Sequence, residues 1–133
     1  FNFLSSFVQF SQVIDNLMKN AFRALQATDR PLQLGDLRIE VRCNQSHGLV
    51  TVTDRGRGIP PDLIDRVFEP FFSTNRGTGH GLGLAFCERV IKSASGSISV
   101  RSTLNSGTIF EIALPRMKCD YLRDLLKNSP ART

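Results

Sequence analysis

Between Gly77 and Leu84 the chain reads Gly-Thr-Gly-His-Gly-Leu-Gly-Leu, with a glycine at every second position. Glycine at that density gives up side-chain packing and has too much backbone entropy to lose for a helix or an ordinary strand. The stretch is therefore expected to be a loop that a ligand can approach closely. Directly behind it Leu84, Phe86, Cys87, Val90, Ile91 and Ala94 recur at helical spacing. A loop running into a helix N-terminus presents free amides and the positive end of the helix dipole, which suit an anion and phosphate above all. Two familiar phosphate loops do not fit. A Walker loop requires a lysine, and none lies between Lys19 and Lys92. The dinucleotide fingerprint requires a third Gly or Ala where Leu82 or Leu84 stands. Taken alone, a glycine-rich surface loop without a ligand remains an equal alternative.

Two further groups of residues could do chemistry. Asp54-Arg55-Gly56-Arg57-Gly58-Ile59-Pro60-Pro61 places an acid at the end of a predicted strand, before a loop that lets backbone come close. A carboxylate repels phosphate, so Asp54 would meet the other end of a nucleotide, where the exocyclic amine of adenine is a donor for it. Asp-x-Gly is also a common turn, and alone that reading is the stronger. Upstream, Gln12, Asn16, Asn20 and Arg23 are spaced by four, four and three, which puts them on one ridge of a helix. Asparagine is a mediocre helix former, so two of them one turn apart suggest use, although a solvated polar face would read the same way.

These groups need elements to hold them. Val8, Val13, Ile14, Leu17, Met18, Ala21, Phe22, Ala24 and Leu25 trace a helical stripe that predicts one long helix from near Phe10 to Ala27. After a turn containing Pro31 and Gly35, Leu37, Ile39 and Val41 alternate with charged residues, and Leu49 to Thr53 repeats the alternation beyond Ser46-His47-Gly48. That is a hairpin with one apolar face. A short helix from Pro61 through Val67 is expected next. Phe68-Glu69-Pro70-Phe71-Phe72 follows, with at least two of its phenylalanines in the core, and Ser73 to Thr78 suits a lid. A helix over Leu82 to Ser95 ends at Gly96, and a second hairpin, Ser97 to Arg101 and Thr108 to Leu114, turns at Asn105-Ser106-Gly107. Strands that bury one face predict an α/β two-layer sandwich, a mixed, mostly antiparallel sheet with all helices on one side.

Composition narrows the class. A chain of 133 residues, 41% hydrophobic, suits one domain at 1–115 followed by a basic tail or linker at 116–133. No apolar run approaches the roughly 20 residues that cross a bilayer, and Phe1 to Phe10 lacks the marks of a signal peptide. The expectation is a soluble, cytoplasmic piece of a longer protein without membrane contact of its own. Three scattered cysteines, Cys43, Cys87 and Cys119, indicate neither a disulfide framework nor a zinc site. Of the net charge of +5, most sits past Pro115, where aromatics are nearly absent, so nucleic acid is not the expected partner.

Taken in order, these pieces resemble the ATP-binding domain shared by sensor histidine kinases, gyrase, Hsp90 and MutL, the Bergerat fold. Four motifs carry the likeness: Asn16-Leu17-Met18-Lys19-Asn20-Ala21, Asp54-x-Gly56-x-Gly58, Phe68 to Thr74, and Gly77 to Leu84, closed by Gly107-Thr108-x-Phe110. The resemblance implies that Asn20 holds Mg2+ through its side-chain oxygen while Arg23 contacts phosphate. It further implies that Asp54 bonds the adenine amine, that Gly56 and Gly58 let backbone approach the ring, and that Ile59 packs near it. Thr108 would assist adenine recognition, while Gly79, His80, Gly81, Leu82 and Gly83 would lie along the phosphates. Hydrolysing relatives carry a glutamate general base where Asn16 stands here. That points to the histidine kinase branch, with Asn16, Asn20 and Arg23 at the reacting end of Mg-ATP. Its implied partners are a histidine-bearing helical dimerisation domain and a response regulator, in a full-length protein that is a homodimer. The phosphoacceptor histidine is absent: neither His47 nor His80 stands on a dimerisation helix. The position after the phenylalanine motif, commonly lysine, holds Asn75 and Arg76. The alternatives are a nucleotide-sensing or docking module of the same fold without transfer, and an ATPase of the gyrase or MutL sort.

Overall fold

No glycine or proline interrupts residues 3–26, and one helix, α1 (Phe3–Gln26), forms there. The computed structural model describes residues 3–73, 82–115 and 127. The helix starts about two turns before the expected Phe10. Phe7 and Val8 in those turns are 39% and 43% exposed, so burial does not hold this end. The apolar stripe marks where α1 packs, whereas the helix itself extends cheaply beyond once nucleated. Its packed face is Val13, Leu17, Ala21 and Leu25, all buried at a spacing of four.

Four strands follow: β1 (Leu37–Cys43), β2 (His47–Asp54), β3 (Ser97–Thr103) and β4 (Gly107–Pro115). They form one sheet in the order β1-β2-β4-β3, antiparallel at each pairing, which is narrower than the mixed sheet expected. Between β3 and the second helix, α2 (Gly83–Ser93), the chain turns at Gly96, whose amide bonds the Ile91 carbonyl at 2.9 Å. Both helices pack on one face of the sheet. The core there joins Val13 and Leu17 of α1, Cys87, Val90 and Ile91 of α2, Val50 and Val52 of β2, and Phe110, Ile112 and Leu114 of β4.

Several boundaries differ from the sequence expectation. The first hairpin turns on Asn44, whose Oδ1 accepts the amides of Ser46 at 2.9 Å and His47 at 2.7 Å. His47 is thus the first residue of β2 and pairs with Pro115, not a turn residue. The short helix expected over Pro61 to Val67 is only a 3-10 turn, Ile64–Arg66, bracketed by hydrogen-bonded turns. Among the three phenylalanines only Phe68 packs on the core, edge to face with Phe110 at 6.2 Å between centroids. Phe72 instead lies under the Arg66 guanidinium at 4.8 Å, and Phe71, at φ 67° with 78% exposure, points away. Of the expected lid only Ser73 is described, and the tail segment Tyr121 to Leu126 lies outside the described residues.

Candidate functional site

The two-residue period of a strand decides what faces the helices. In β2 the buried row is Gly48, Val50, Val52, Asp54, and in β4 it is Thr108, Phe110, Ile112, Leu114. Each row is apolar until its last position at one end of the sheet, where Asp54 pairs with Thr108. On β3 the same face carries Ile98, Val100 and Ser102, and Ser102 pairs with Thr108. One end of the core thus closes on three side by side polar residues, Asp54, Thr108 and Ser102, drawn from three strands.

Asp54 is 4% exposed. Burial pushes its carboxyl above the ordinary carboxylate value, and the backbone amides of Gly56 and Thr108 pull it part of the way back. The Gly56 amide donates to Oδ1 at 2.8 Å. A nearly inaccessible carboxylate held by backbone amides, with no cation among the described residues contributing to its ionisation, keeps acceptor capacity for a donor from outside. Thr108 is equally buried, at 4% exposure, and its Oγ1 lies 2.8 Å from Ser102 Oγ.

The loop beyond Asp54 is pinned from three sides. Gly58 has φ 71°, and a Cβ there would run into the Thr103 carbonyl, so this position admits only glycine without strain. Ile59 donates its amide to Ser102 Oγ at 2.8 Å, and Arg57 receives the Asn105 amide at 2.7 Å. On the helix side Arg57 donates its amide to the Ala24 carbonyl at 3.1 Å, and a Cβ on Gly56 would lie 2.6 Å from Ala24. Gly56 and Gly58 therefore serve close approach of protein to protein, as well as any approach of a ligand.

A third clamp comes from residues that sequence reading passed over as a turn. Asp36, 3% exposed, takes a bidentate bond from Arg30 at 3.0 Å on each oxygen and the Gln33 amide at 2.6 Å. Those bonds, the Arg30 guanidinium foremost, hold its carboxyl below the ordinary range. The Asp36 carbonyl accepts the Arg55 amide at 2.9 Å, and Arg30 Nη2 donates to the Arg55 carbonyl at 3.0 Å. Arg30 and Asp36 thus hold both sides of the residue after Asp54. A buried acid directly before a strand was the available signal. For Ser102 the signal was a polar residue ending the apolar alternation Ile98, Val100.

The other group sits on α1. Asn16, Asn20 and Arg23 are half-buried along one side, while Gln12 is exposed. Asn16 Nδ2 reaches the Gly83 carbonyl at 3.5 Å, and its carboxamide also contacts Cys87, a thiol that burial pushes up to about 11. Asn16 is therefore set against the first turn of α2. Gly83 is not required for steric reasons, since a Cβ there would meet Asn16 Cγ at an ordinary 3.6 Å. Ala24, one turn past Asn20, links this group to the Asp54 loop. Leu82 is 45% exposed at the start of α2. Gly79, His80 and Gly81, like Arg76, lie outside the described residues.

Among the described residues no three His, Cys, Asp or Glu side chains cluster as a metal cage. The set on α1 does fit Mg2+, which keeps several waters and takes one or two hard protein oxygens plus phosphates. Asn20, half-buried on α1, carries a carboxamide oxygen of that kind and would be the residue to hold the ion. No helix among the described residues is long and apolar enough to cross a membrane.

Comparison with known proteins bears on the family and the fold. Residues 7–118 match the family described as histidine kinase-, DNA gyrase B-, and HSP90-like ATPase. The sensor histidine kinase RcsC of Salmonella typhimurium is 36% identical over 119 residues, covering 86% of this chain and 12% of that protein. Sporulation kinase C of Bacillus subtilis is 32% identical over 107 residues, covering 80% of this chain and 23% of that one. The chain thus spans less than a quarter of the length of these relatives. Among solved structures, full-length ShkA in complex with AMPPNP superposes with a TM-score of 0.68 at 28% identity, over 80% of this chain and 21% of ShkA. The open antiparallel sheet with helices on one face is the fold of the histidine kinase ATPase domain. The family model spans residues 7–118 and the fold is shared with ShkA, and the chain belongs to the histidine kinase-, DNA gyrase B- and HSP90-like ATPase family.

Proposed function

We propose that this domain, residues 1–115, is the catalytic ATP-binding part of a two-component sensor histidine kinase. It would bind Mg-ATP between α1 and the loop leading into α2, and support transfer of the γ-phosphoryl group to a histidine on a separate helical dimerisation domain. The observation that carries the reading is the Asp54 carboxylate, buried and held by backbone amides at the end of the core, with the Asn20 and Arg23 face about one helical turn from its loop. Asp54 and Thr108 accept the adenine amine. Asn20 offers an oxygen to the metal, and Arg23 a cation to the phosphates. Bound Mg2+ would neutralise and orient phosphate oxygens. The protein's share of catalysis is then positioning and charge complementarity.

Asn16 supports transfer over hydrolysis. A carboxamide is no base near neutral pH, and this one is directed at the Gly83 carbonyl and Cys87, away from the task of activating water. The nucleophile must then come from another domain, and a homodimeric, cytoplasmic kinase that passes phosphoryl on to a response regulator is the setting we infer. A binding module of the same fold that has lost transfer is the second reading.

Two substitutions test the site by calorimetry. Asp54→Asn replaces a charged acceptor by a group that is half donor and should cost about 1.5–3 kcal/mol of ATP binding, tenfold or more in affinity. Asn20→Asp sets a negative charge beside the phosphates and should weaken Mg-ATP further. Unchanged affinity in both variants would refute the site. Labelled phosphohistidine on an added cognate helical domain separates a kinase from a pure sensor, which would yield none, and steady phosphate release by this chain alone would point to an ATPase.

A further inference from the structure

We propose that Ser102 decides which purine the site accepts, as a positioning residue that fixes the hydroxyl proton of Thr108. The inference rests on the nucleotide reading above and goes beyond it, to the base the pocket selects. Ser102 Oγ stands at the centre of three hydrogen bonds: the Ile59 amide at 2.8 Å, the Gly107 carbonyl at 2.9 Å and Thr108 Oγ1 at 2.8 Å. A hydroxyl has one proton to give and two lone pairs to receive with. The Ile59 amide can only donate and the Gly107 carbonyl can only accept, so the Ser102 proton goes to Gly107 and one lone pair goes to Ile59. The remaining lone pair takes the proton of Thr108.

Thr108 is thereby left with lone pairs alone on its free side. Beside it stands Asp54, an acceptor when ionised. The polar end of the core becomes an all-acceptor surface, which suits a purine with an amino group at C6. A purine with a carbonyl at C6 gains a donor at N1 but sets an acceptor against acceptors at C6, and desolvation of that carbonyl would go uncompensated. Ser102 touches no part of the base in this scheme. It acts through Thr108, and through the Ile59 amide that holds the loop beside the ring.

The experiment compares ATP with inosine triphosphate, its 6-oxo counterpart, by calorimetry on the full chain with Ser102→Ala and Ser102→Thr. Without the Ser102 hydroxyl, Thr108 is free to turn its proton outward and donate to a 6-oxo group. Ser102→Ala should bind ATP about 3- to 10-fold more weakly while inosine triphosphate holds or gains, so the ratio of affinities falls by about threefold or more. Ser102→Thr restores the hydroxyl and should keep the ratio of the parent protein. A merely structural role for Ser102 would weaken both nucleotides alike, so a ratio preserved within twofold in Ser102→Ala overturns the proposal. Loss of the ratio in Ser102→Thr as large as in Ser102→Ala overturns it too. Should Ser102→Ala not unfold cooperatively, Ser102→Cys, close in volume with a weak thiol partner, is read by the same ratio. Asp54→Asn run alongside separates the two levels: normal ATP binding there removes the nucleotide site and this proposal with it. Lost binding there with an unmoved ratio in Ser102→Ala removes this proposal only.

Discussion

Asp54 and Asp36 are both buried acids, yet their environments drive them in opposite directions. Burial raises the Asp54 pKa above 3.8, so the folded chain holds that proton more tightly than the unfolded chain does. What Asp54 contributes to stability is full in acid and is lost as pH rises through its raised value. Arg30 lowers Asp36 below 3.8, so its contribution is present above 3.8 and is lost as pH falls through its depressed value. Asp54→Asn should therefore raise the urea midpoint at neutral pH, and the gain should shrink toward zero as pH approaches 3. Urea melts of parent and variant across that range check the sign, and a gain that grew on acidification would contradict it. The same substitution is expected to abolish tight nucleotide binding, so the residue would trade stability for use. Asp54 itself was legible in the sequence because period-two alternation carried it into the core-facing row. Ser102 obeys the same alternation and went unread, because a serine at a strand end has no meaning until Thr108 and Ile59 are brought to it across other strands.

At the scale of elements, the loop after β2 is fastened by α1 through Ala24, by β3 through Ser102, and by the Arg30–Asp36 clasp. The clasp is separable from the other two. Arg30→Met keeps the aliphatic stem but removes both bonds to Asp36 and the bond to the Arg55 carbonyl. Hydrogen exchange should then quicken about tenfold or more at the Arg55 amide, while the paired amides in the middle of β4 keep their protection. Uniform acceleration through the sheet would mean that the clasp stabilises the whole fold and not this loop. The hairpins, both helices and the single covered face were readable from periodicity, with the boundary errors falling where periodicity has nothing to say. At the start of α1 a helix continues without burial, and at Pro61 to Val67 a few turns satisfy the backbone without a helix. Of the clasp only one sign stood in the sequence, an acid directly before a strand, since Arg30 and Asp36 meet only after the chain between them has turned.

For the whole molecule, the order of the motifs along the chain was a stronger guide than any one of them. Each is a common turn, polar face or aromatic cluster in isolation, and the fold explains why they work together: α1 lies across β2 and β4 with its C-terminal end on the loop that follows Asp54. The tail past Pro115 and the glycines at 77, 79 and 81 stand where sequence reading left them, as expectations beyond the described residues. One contact has a further consequence. Because Gly56 sits hard against Ala24, α1 serves as a ruler: Asn20, which the proposed function sets at the phosphates, stands four residues, about 6 Å of rise, before the point that touches the loop after Asp54. Asn20→Ala would leave Ala24 docked and the buried row of α1 in place while removing the carboxamide oxygen. Adenosine should still enter such a variant while the metal-dependent gain in ATP affinity disappears, dividing the span of one nucleotide into its two halves.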